Sequence, residues 1–445
     1  MRFLSFCAGL LGSVVFVSSF PTAANVANLA RSEGLEVPED LNLEDIIRQV
    51  KSRQERRLLV NPLDTPVEAD GDHEWQAPDF ASGAQRGPCP GLNALANHGY
   101  INRNGVAGLL SSIGPINEVF GMETALATIL SVMGTVHSGD PLSLTPGFSL
   151  DGYHPRVRNI LGNLLGLLGE PRGIGKAHNW LEADASLTRD DLYVTGDAST
   201  MNFSKFLALF NRADQNGVIS EDAFLDHSID GLHECIATNP YCWYGPYTGM
   251  IARNAGMAFA IRLMSNHSTE HPRGIMTQNV LKSFWGVVDG GNGSLEYKRG
   301  YERIPSNWYK TPVDYGLVQL NLDLVSWIRK YPELASIGGN TGSVNSFTVL
   351  NLTDLSGGLM NVPTLLEDNN LLCFVLQIVT TFAPDSLSGL FSVIAKPVQL
   401  LTETLGADLL DLSCPPMQDL SNNEKPAWDS LISSFAGPLR AGSAL

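Results

Sequence analysis

The sequence predicts a mainly α-helical protein that forms a single compact domain behind an N-terminal leader. Apolar residues recur at helical spacing through most of the chain, whereas the alternation typical of strands is scarce. No internal repeat and no clean linker interrupts the chain after residue 57. Hydrophobic residues make up 44% of the 445 residues and charged residues 17%, a balance that excludes global disorder.

The predicted helices follow from apolar spacing and from residues that start or stop helices. A short first helix is expected over 92–98, because Pro90 suits a helix start and Gly99 suits the left-handed residue that ends one. Residues 58–88 are rich in Pro, Asp and Gly and are predicted to form an extended arm. The remaining helices are predicted over 116–135, 157–168, 201–212, 221–237, 246–265, 275–286, 316–330 and 364–382.

The N-terminal leader has two predicted parts. Residues 1–20 have a basic start, an apolar run and small residues suited to cleavage, which is typical of a secretory signal peptide. The run is short and interrupted by Ser and Gly, which disfavours the alternative of a membrane anchor. Residues 21–57 are predicted to be a propeptide that ends at a dibasic pair, with a solvated helix as the alternative. The mature domain would then be 58–445, and the protein secreted.

The charge balance limits the partners. The chain has 29 Lys and Arg against 46 Asp and Glu, for a formal net charge of −17. Binding to phosphates needs clustered basic residues, so nucleic acid and anionic membranes are not expected as partners. Secretion gives meaning to four N-x-[ST] sequons, which are predicted to be glycosylated. They are Asn202, Asn266, Asn292 and Asn351.

Five cysteines remain once Cys7 leaves with the signal peptide. Cys235 and Cys242 are close enough in sequence to close a small disulfide loop, and Cys373 and Cys414 can close a longer one. Cys89 is then unpaired, and an odd thiol in an oxidising compartment is free, reactive, intermolecular or a metal ligand.

Cys89 lies between Pro88 and Pro90 at a predicted helix start. There the helix dipole and the free backbone N–H groups stabilise a thiolate. A fixed, electron-rich sulfur of this kind suits an axial ligand to haem iron. The alternative is an ordinary buried cysteine or half of a disulfide.

Longer segments resemble the fungal haem-thiolate peroxidases, the family of chloroperoxidase and the unspecific peroxygenases. The resemblance covers about 75–414, and its signature Pro-Cys-Pro falls on Pro88-Cys89-Pro90. It implies haem b with Cys89 as axial thiolate, a helical peroxidase domain, and a Cys373–Cys414 disulfide like that of the longer peroxygenases. The matching runs are WQAP at 75–78, RGPCPGLNALANHGYINRNG at 86–105, HNWLEADASLTRDD at 178–191, GYERIPSNWYK at 300–310 and ELASIGGNTGSVNSF at 333–347.

The resemblance also implies a metal site. The family's acidic triplet, matched here by Glu182-Ala183-Asp184, holds Mg²⁺ or Mn²⁺ beside a haem propionate together with a following serine. The implied ligands here are the Glu182 carboxylate, the Ala183 carbonyl and the Ser186 hydroxyl. Such hard oxygen ligands suit either dication. The alternative is helix capping, since Thr188 and Asp191 have the spacing of a capping box.

The distal side departs from the family pattern. Relatives cleave peroxide with a Glu on a helix that corresponds to 246–265, helped by an Arg or a His. That helix contains no carboxylate and no histidine here. Arg253 is the candidate catalytic residue, because a fixed positive charge can polarise the O–O bond. The equal alternative is a structural Arg paired with an acid.

The predicted function is therefore that of a secreted haem-thiolate peroxidase of the peroxygenase type. It would use hydrogen peroxide to oxygenate or oxidise small organic substrates, aromatic or aliphatic. One alternative is halide oxidation or tailoring of a secondary metabolite by the same cofactor. Another is a non-catalytic secreted haem-binding protein, which the missing distal acid makes credible.

Overall fold

The computed structural model describes residues 61–140, 146–157, 171–350, 370–371 and 433–441. The predicted signal peptide and propeptide lie entirely outside these residues. Asn351, Cys373 and Cys414 lie outside them as well. The predicted helices 157–168 and 364–382 lie almost entirely outside them.

The described residues are mainly helical, as the sequence predicts. Most predicted helices are present with shifts of one to three residues at their ends. The α-helices are α1 (Pro90–Asn97), α2 (Ile113–Phe120), α3 (Thr124–Ser138), α4 (Leu192–Thr195), α5 (Phe203–Phe210), α6 (Glu221–Thr238), α7 (Asn254–Leu263), α8 (Gln278–Phe284), α9 (Leu317–Lys330) and α10 (Ala436–Ala441).

The single predicted helix 116–135 is wrong, because the chain breaks between α2 and α3. Gly121 ends α2 with φ +69°, a left-handed conformation that glycine adopts without strain. The break is tied to a distant residue: Tyr315 N–H donates to the Gly121 carbonyl at 2.8 Å, and Glu123 N–H donates to the Tyr315 carbonyl at 2.9 Å. Tertiary hydrogen bonds therefore interrupt an apolar pattern that is continuous in sequence.

The predicted helix 246–265 is present but begins with π-helical geometry. The π-helical segment runs over Pro246–Arg253 and leads directly into α7. Gly249 lies against Tyr244 so closely that an added Cβ would stand 2.7 Å from its ring. Such segments are rare and occur often at functional sites.

Strands are few and short within the described ranges, in agreement with the scarcity of alternation. β1 (Val106–Gly108) pairs antiparallel with β2 (Gly147–Ser149), and β4 (Val287–Asp289) pairs antiparallel with β5 (Leu295–Tyr297). The third sheet has the order β3–β6–β7, from Trp243–Tyr244, Gly338–Gly339 and Thr348–Val349.

A hydrophobic core joins the helices around the start of α1. Phe120 from α2, Phe284 from α8 and Trp308 meet with ring centroids 5.4 to 6.0 Å apart. Gly91, in the first turn of α1, packs against this group: a Cβ there would lie 3.4 Å from the Phe120 ring and 3.1 Å from Met264. The core thus fixes the helix end that carries Cys89. In the described part of the chain, no helix is both long and apolar enough to cross a membrane.

Candidate active site

Cys89 caps the start of α1, as the sequence predicts. It has extended backbone geometry, and Pro90 follows it as the first helical residue. It is half-buried, and it alone among the described cysteines is outside a disulfide. Burial raises the pKa of the Cys89 thiol, while the backbone N–H groups of Leu92 and Gly91 act in the opposite direction. The Cys89 side chain makes no capping hydrogen bond to α1, but its place before the first turn exposes it to the positive end of the helix dipole, which favours a thiolate.

A buried amide network fixes the segment that carries Cys89. Gly87 N–H donates to Asn93 Oδ1 at 2.9 Å, and Asn93 Nδ2 donates to the Gly87 carbonyl at 2.8 Å. Asn97, one turn further on, donates to the carbonyls of Gly300 and Glu302 at 2.7 Å each. Because Asn93 and Asn97 share one helix face, α1 is held in register against residues 300–302.

A buried ion pair lies on the same side of the site. Arg189 Nη2 stands 3.9 Å from Glu302 Oε1, and the exposed fractions of the two side chains are 3% and 1%. Arg189 Nε donates to the Pro88 carbonyl at 3.2 Å, and Asn93 Nδ2 donates to Glu302 Oε1 at 2.8 Å. Burial raises the pKa of Glu302, and Arg189 opposes that rise. The pair therefore joins the loop after the acidic triplet to the residue that precedes Cys89.

The acidic triplet is buried and incompletely paired. Glu182 Oε2 receives a hydrogen bond from His178 Nδ1 at 2.6 Å, and Asp184 Oδ2 receives one from Trp243 N–H at 2.9 Å. Within the described residues, Glu182 Oε1, Asp184 Oδ1 and His178 Nε2 are buried without a hydrogen bond, and the last two atoms stand 3.9 Å apart as an ion pair. Burial raises the pKa of Glu182. Burial also lowers the pKa of His178, but Glu182 and Asp184 outweigh it and raise that pKa to about 9.

These observations fit a bound cation. A buried carboxylate oxygen without a partner is costly, and a dication would satisfy it. Ser186 is half-buried, and its hydroxyl forms no hydrogen bond to another described residue. Glu182, Ala183 and Ser186 are close in sequence, and their carboxylate, carbonyl and hydroxyl oxygens have the hard character that Mg²⁺ prefers.

The loop that follows the triplet is pinned from several elements. Ala185 has a φ of +59°, which a residue with a side chain rarely adopts. Asp191 Oδ1 accepts from Ala185 N–H at 2.8 Å, and His227 Nε2 bonds to the Leu187 carbonyl at 2.8 Å. The surrounding helices therefore hold a strained backbone that positions Ser186.

The capping-box interpretation of this loop is wrong. Asp191 precedes α4, but its side chain makes no capping bond to that helix. It bonds instead to Ala185 and to Asn239 Nδ2, the latter at 3.1 Å. Thr188 Oγ1 accepts from Trp285 Nε1 at 2.9 Å. Both side chains anchor the loop from other elements, so capping does not account for the polar residues of the triplet.

Arg253 lies at the junction of the π-helical segment and α7 and faces the same loop. Its Nε donates to the Ala185 carbonyl at 2.7 Å, its Nη1 to Asn254 Oδ1 at 3.0 Å, and its Nη2 to the Ser228 carbonyl. Its guanidinium also lies 5.5 Å from the centre of the Tyr244 ring. All three nitrogens therefore bind protein acceptors. The role of Arg253 in peroxide cleavage stays a prediction.

The disulfide between Cys235 and Cys242 is confirmed. It joins the end of α6 to the residue before β3 and closes a loop that contains Asn239. This loop supplies the Asn239 bond to Asp191, and Trp243, directly after it, supplies the bond to Asp184. The disulfide therefore supports the acidic cluster.

The three described sequons differ in their surroundings. Asn202 caps α5 with its Oδ1, and its Nδ2 donates to Asp190 at 2.7 Å. Asn266 is half-buried and accepts from Tyr309 N–H at 2.8 Å. Asn292 is exposed in the turn between β4 and β5. Among the three described sequons, only Asn292 has a solvent-exposed side chain.

Several site residues had little or no signal in the sequence. His178, Arg189 and Glu302 lie inside the segments that carry the family resemblance, which was the available clue. His137 on α3 had none, because a single histidine on an apolar helix indicates no role by itself.

A free cysteine at a helix start, tied through Arg189 to the segment of a buried acidic cluster, is the arrangement expected of a haem-thiolate protein. Comparison with known proteins gives the family. Residues 73–313 match the family model described as peroxidase, family 2. The chain belongs to this family of fungal haem-thiolate peroxidases and is a peroxide-dependent oxidoreductase.

Similar proteins include several fungal peroxidases. The chain is 54% identical to an aromatic peroxidase of Fusarium equiseti over 388 residues, which cover 87% of this chain and 89% of the relative. It is 39% identical to the dothistromin biosynthesis peroxidase of Dothistroma septosporum, over 85% of this chain and 90% of the relative. An aromatic peroxygenase of Cyclocybe aegerita is 25% identical, over 75% and 80% respectively.

Proposed function

We propose that this protein is a secreted haem-thiolate peroxidase of the peroxygenase type that oxidises or oxygenates small aromatic compounds with hydrogen peroxide. The observation that carries the proposal is Cys89, a free thiol that directly precedes α1, where the backbone N–H groups of the first turn favour a thiolate. Haem bound there would supply the iron at which peroxide is cleaved. The family match supports an enzyme over the non-catalytic alternative.

The protein's own residues would hold the cofactor on two sides. Cys89 would provide the sulfur ligand, and Asn93 together with the buried pair of Arg189 and Glu302 would hold the segment that carries it. Burial and hydrogen bonding around a ligating sulfur tune the potential of the iron. Asn93, Arg189 and Glu302 would therefore orient the ligand.

On the propionate side we propose Mg²⁺, or Mn²⁺, bound by the Glu182 carboxylate, the Ala183 carbonyl and the Ser186 hydroxyl. Support comes from the buried Glu182 oxygen that lacks a partner and from the loop anchors that position Ser186. His178 would orient the Glu182 carboxylate through its 2.6 Å hydrogen bond.

The aromatic substrate class rests on the relatives. The 54% identical protein is named an aromatic peroxidase, and another relative is named a biosynthesis peroxidase. The second name supports tailoring of a secondary metabolite as the physiological setting. Halide oxidation remains the other outcome available to the same cofactor.

The test is the reduced carbonyl spectrum of the purified holoenzyme. Wild-type protein should show the strongly red-shifted Soret band of a thiolate ligand, and Cys89→Ala should lose it. The matched control is Cys235→Ala with Cys242→Ala, which removes two other cysteines and should keep the band. An unchanged band in Cys89→Ala would overturn the ligand assignment. Failure of the wild-type holoenzyme to turn over an aromatic substrate with peroxide would overturn the function.

A further inference from the structure

His137, near the end of α3, lies between the loop of the acidic triplet and the helix expected on the distal side. Its Nδ1 is 3.1 Å from the carbonyl oxygen of Trp180, two residues before Glu182. Its ring meets Tyr247 of the π-helical segment edge-on at 5.8 Å and Trp180 edge-on at 6.0 Å. His137 therefore contacts both segments.

The hydrogen bond to Trp180 fixes the state of the ring. A carbonyl oxygen only accepts, so Nδ1 carries the proton and, in the neutral imidazole, Nε2 has the free lone pair. Among the described residues, nothing forms a hydrogen bond with Nε2, and the side chain is half-buried rather than sealed in the core. His137 thus presents a proton acceptor on an accessible side.

Two further polar atoms on the flanking segments are buried without partners. They are Trp180 Nε1, on the triplet loop, and Thr248 Oγ1, beside Tyr247 in the π-helical segment. Orphaned buried polar atoms are uncommon in native structures and indicate bound water or a ligand. Each atom lies on one of the two segments that His137 contacts, so each can bind water or a ligand beside it.

The surroundings give His137 the basicity of a carboxylate. Burial lowers its pKa to about 4, the hydrogen bond to Trp180 opposes that effect, and the charge of Arg172 adds to it. The Arg172 guanidinium is stacked 5.6 Å from the Trp180 ring. A Glu side chain has an ordinary pKa of about 4.3, so neutral His137 can replace the missing carboxylate as a proton acceptor.

We propose that His137 is the distal acid–base of this peroxidase and does the work of the absent Glu. The proposal rests on the haem site proposed above. Haem at the proposed site would supply the iron at which peroxide is cleaved. His137 Nε2 would accept a proton from hydrogen peroxide and return it to the departing oxygen, so that heterolysis of the O–O bond would release this oxygen as water with both protons. The other oxygen atom and the two oxidising equivalents would pass to the organic substrate.

The principal variant is His137→Gln, whose amide can still donate to the Trp180 carbonyl but cannot exchange a proton. Stopped-flow mixing of ferric holoenzyme with peroxide should show cleavage slower by about 10²–10⁴-fold, with the carbonyl Soret band unchanged. The matched control is His73→Gln. His73 is also half-buried, with Nδ1 3.1 Å from the His98 carbonyl oxygen and its ring stacked on Tyr100. This control should cleave peroxide at the wild-type rate.

Two readouts separate proton transfer from a structural role. Cyanide binds iron as the anion, so HCN must give up its proton. His137→Gln should therefore slow cyanide association about tenfold or more without any turnover. Added imidazole should restore part of the cleavage rate in His137→Ala. Protonation removes the free lone pair, so the wild-type rate should fall as the pH drops through about 4.

Cleavage and cyanide association within twofold of wild type in His137→Gln would overturn the proposal and leave the haem site standing. A slow variant that imidazole does not rescue, with normal cyanide association, would also overturn it, because that pattern indicates a structural effect. A wild-type protein without the thiolate band would instead mean that the proposed function itself is wrong.

Discussion

Replacing Arg253 with Met should destabilise the protein strongly, because this side chain holds the loop of the acidic triplet. The carbonyls of Ala185 and Ser228 would lose their donors inside the protein, where Arg253 is only 9% exposed. An unpaired buried acceptor costs about 1–3 kcal/mol. Loss of the stack on Tyr244 adds about 0.5–1 kcal/mol. We expect the free energy of unfolding to fall by about 3–5 kcal/mol.

The assay is urea unfolding followed by tryptophan fluorescence, together with the Mg²⁺ content after gel filtration. Met keeps much of the apolar stem, so the variant tests the guanidinium rather than the volume. Because Ala185 precedes Ser186, the variant should also retain less Mg²⁺ than wild type.

Arg262→Met is the matched control on the same helix. Arg262 is half-buried and pairs with Asp323 and Glu221 near the surface. Solvent screens these pairs in part, but Arg262 also binds Asp323 with two hydrogen bonds and lies 5.9 Å from the centre of the Trp327 ring. Its loss should therefore cost about 1–2 kcal/mol, less than the loss of Arg253, and leave the Mg²⁺ content unchanged. Unaltered stability and Mg²⁺ content in Arg253→Met, with peroxide cleavage slowed at least a hundredfold, would refute this reasoning. Arg253 would then be the distal catalyst that the sequence suggested.

Two further predictions concern covalent features. Glycopeptide mass spectrometry should find a glycan on Asn292 and none on Asn202, and a glycan on Asn202 would contradict this. Asn202→Ala should lower the free energy of unfolding by about 1 kcal/mol, because the variant loses the cap of α5. Removing the Cys235–Cys242 disulfide, whose cysteines are seven residues apart, should cost about 2.5 kcal/mol in the chain-entropy model and loosen Mg²⁺ binding. Non-reducing peptide mapping checks that pairing, and recovery of Cys373 as a free thiol would refute its predicted link to Cys414.

The first helix and its cysteine were predictable because their signals are local. Pro90 and Gly99 mark the two ends of α1, and both act through backbone geometry that depends on the residue alone. The same applies to α6 and α9, whose ends agree with the prediction within one residue.

The break at Gly121 was not predictable, because its cause is 194 residues away in sequence. The apolar spacing continues across it, and only the backbone hydrogen bonds with Tyr315 stop the helix. The π-helical geometry before α7 was not predictable for a similar reason, because the close packing of Gly249 on Tyr244 does not change the spacing of apolar residues in the sequence.

The candidate site was predictable where a short motif carries it and not where distant residues complete it. Glu182, Ala183 and Ser186 lie within one short segment, so the proposed metal ligands were visible in the sequence. The sequence singled out Arg253 by its charge. It did not indicate the hydrogen-bond acceptors of Arg253, because two of them, at Ala185 and Ser228, are backbone carbonyls of other elements.

The hydrogen bond between Asn93 and Glu302 spans 209 positions in the chain. The hydrogen-bond network that holds the Cys89 segment is therefore complete only after more than 200 further residues have left the ribosome and packed against α1. Contacts of such long range form late, because closing the loop costs entropy before the contact rewards it. A nascent chain that ends before residue 300 contains the complete Pro-Cys-Pro motif but lacks Glu302, which accepts the hydrogen bond from Asn93. Insertion of haem would thus be one of the last events of maturation.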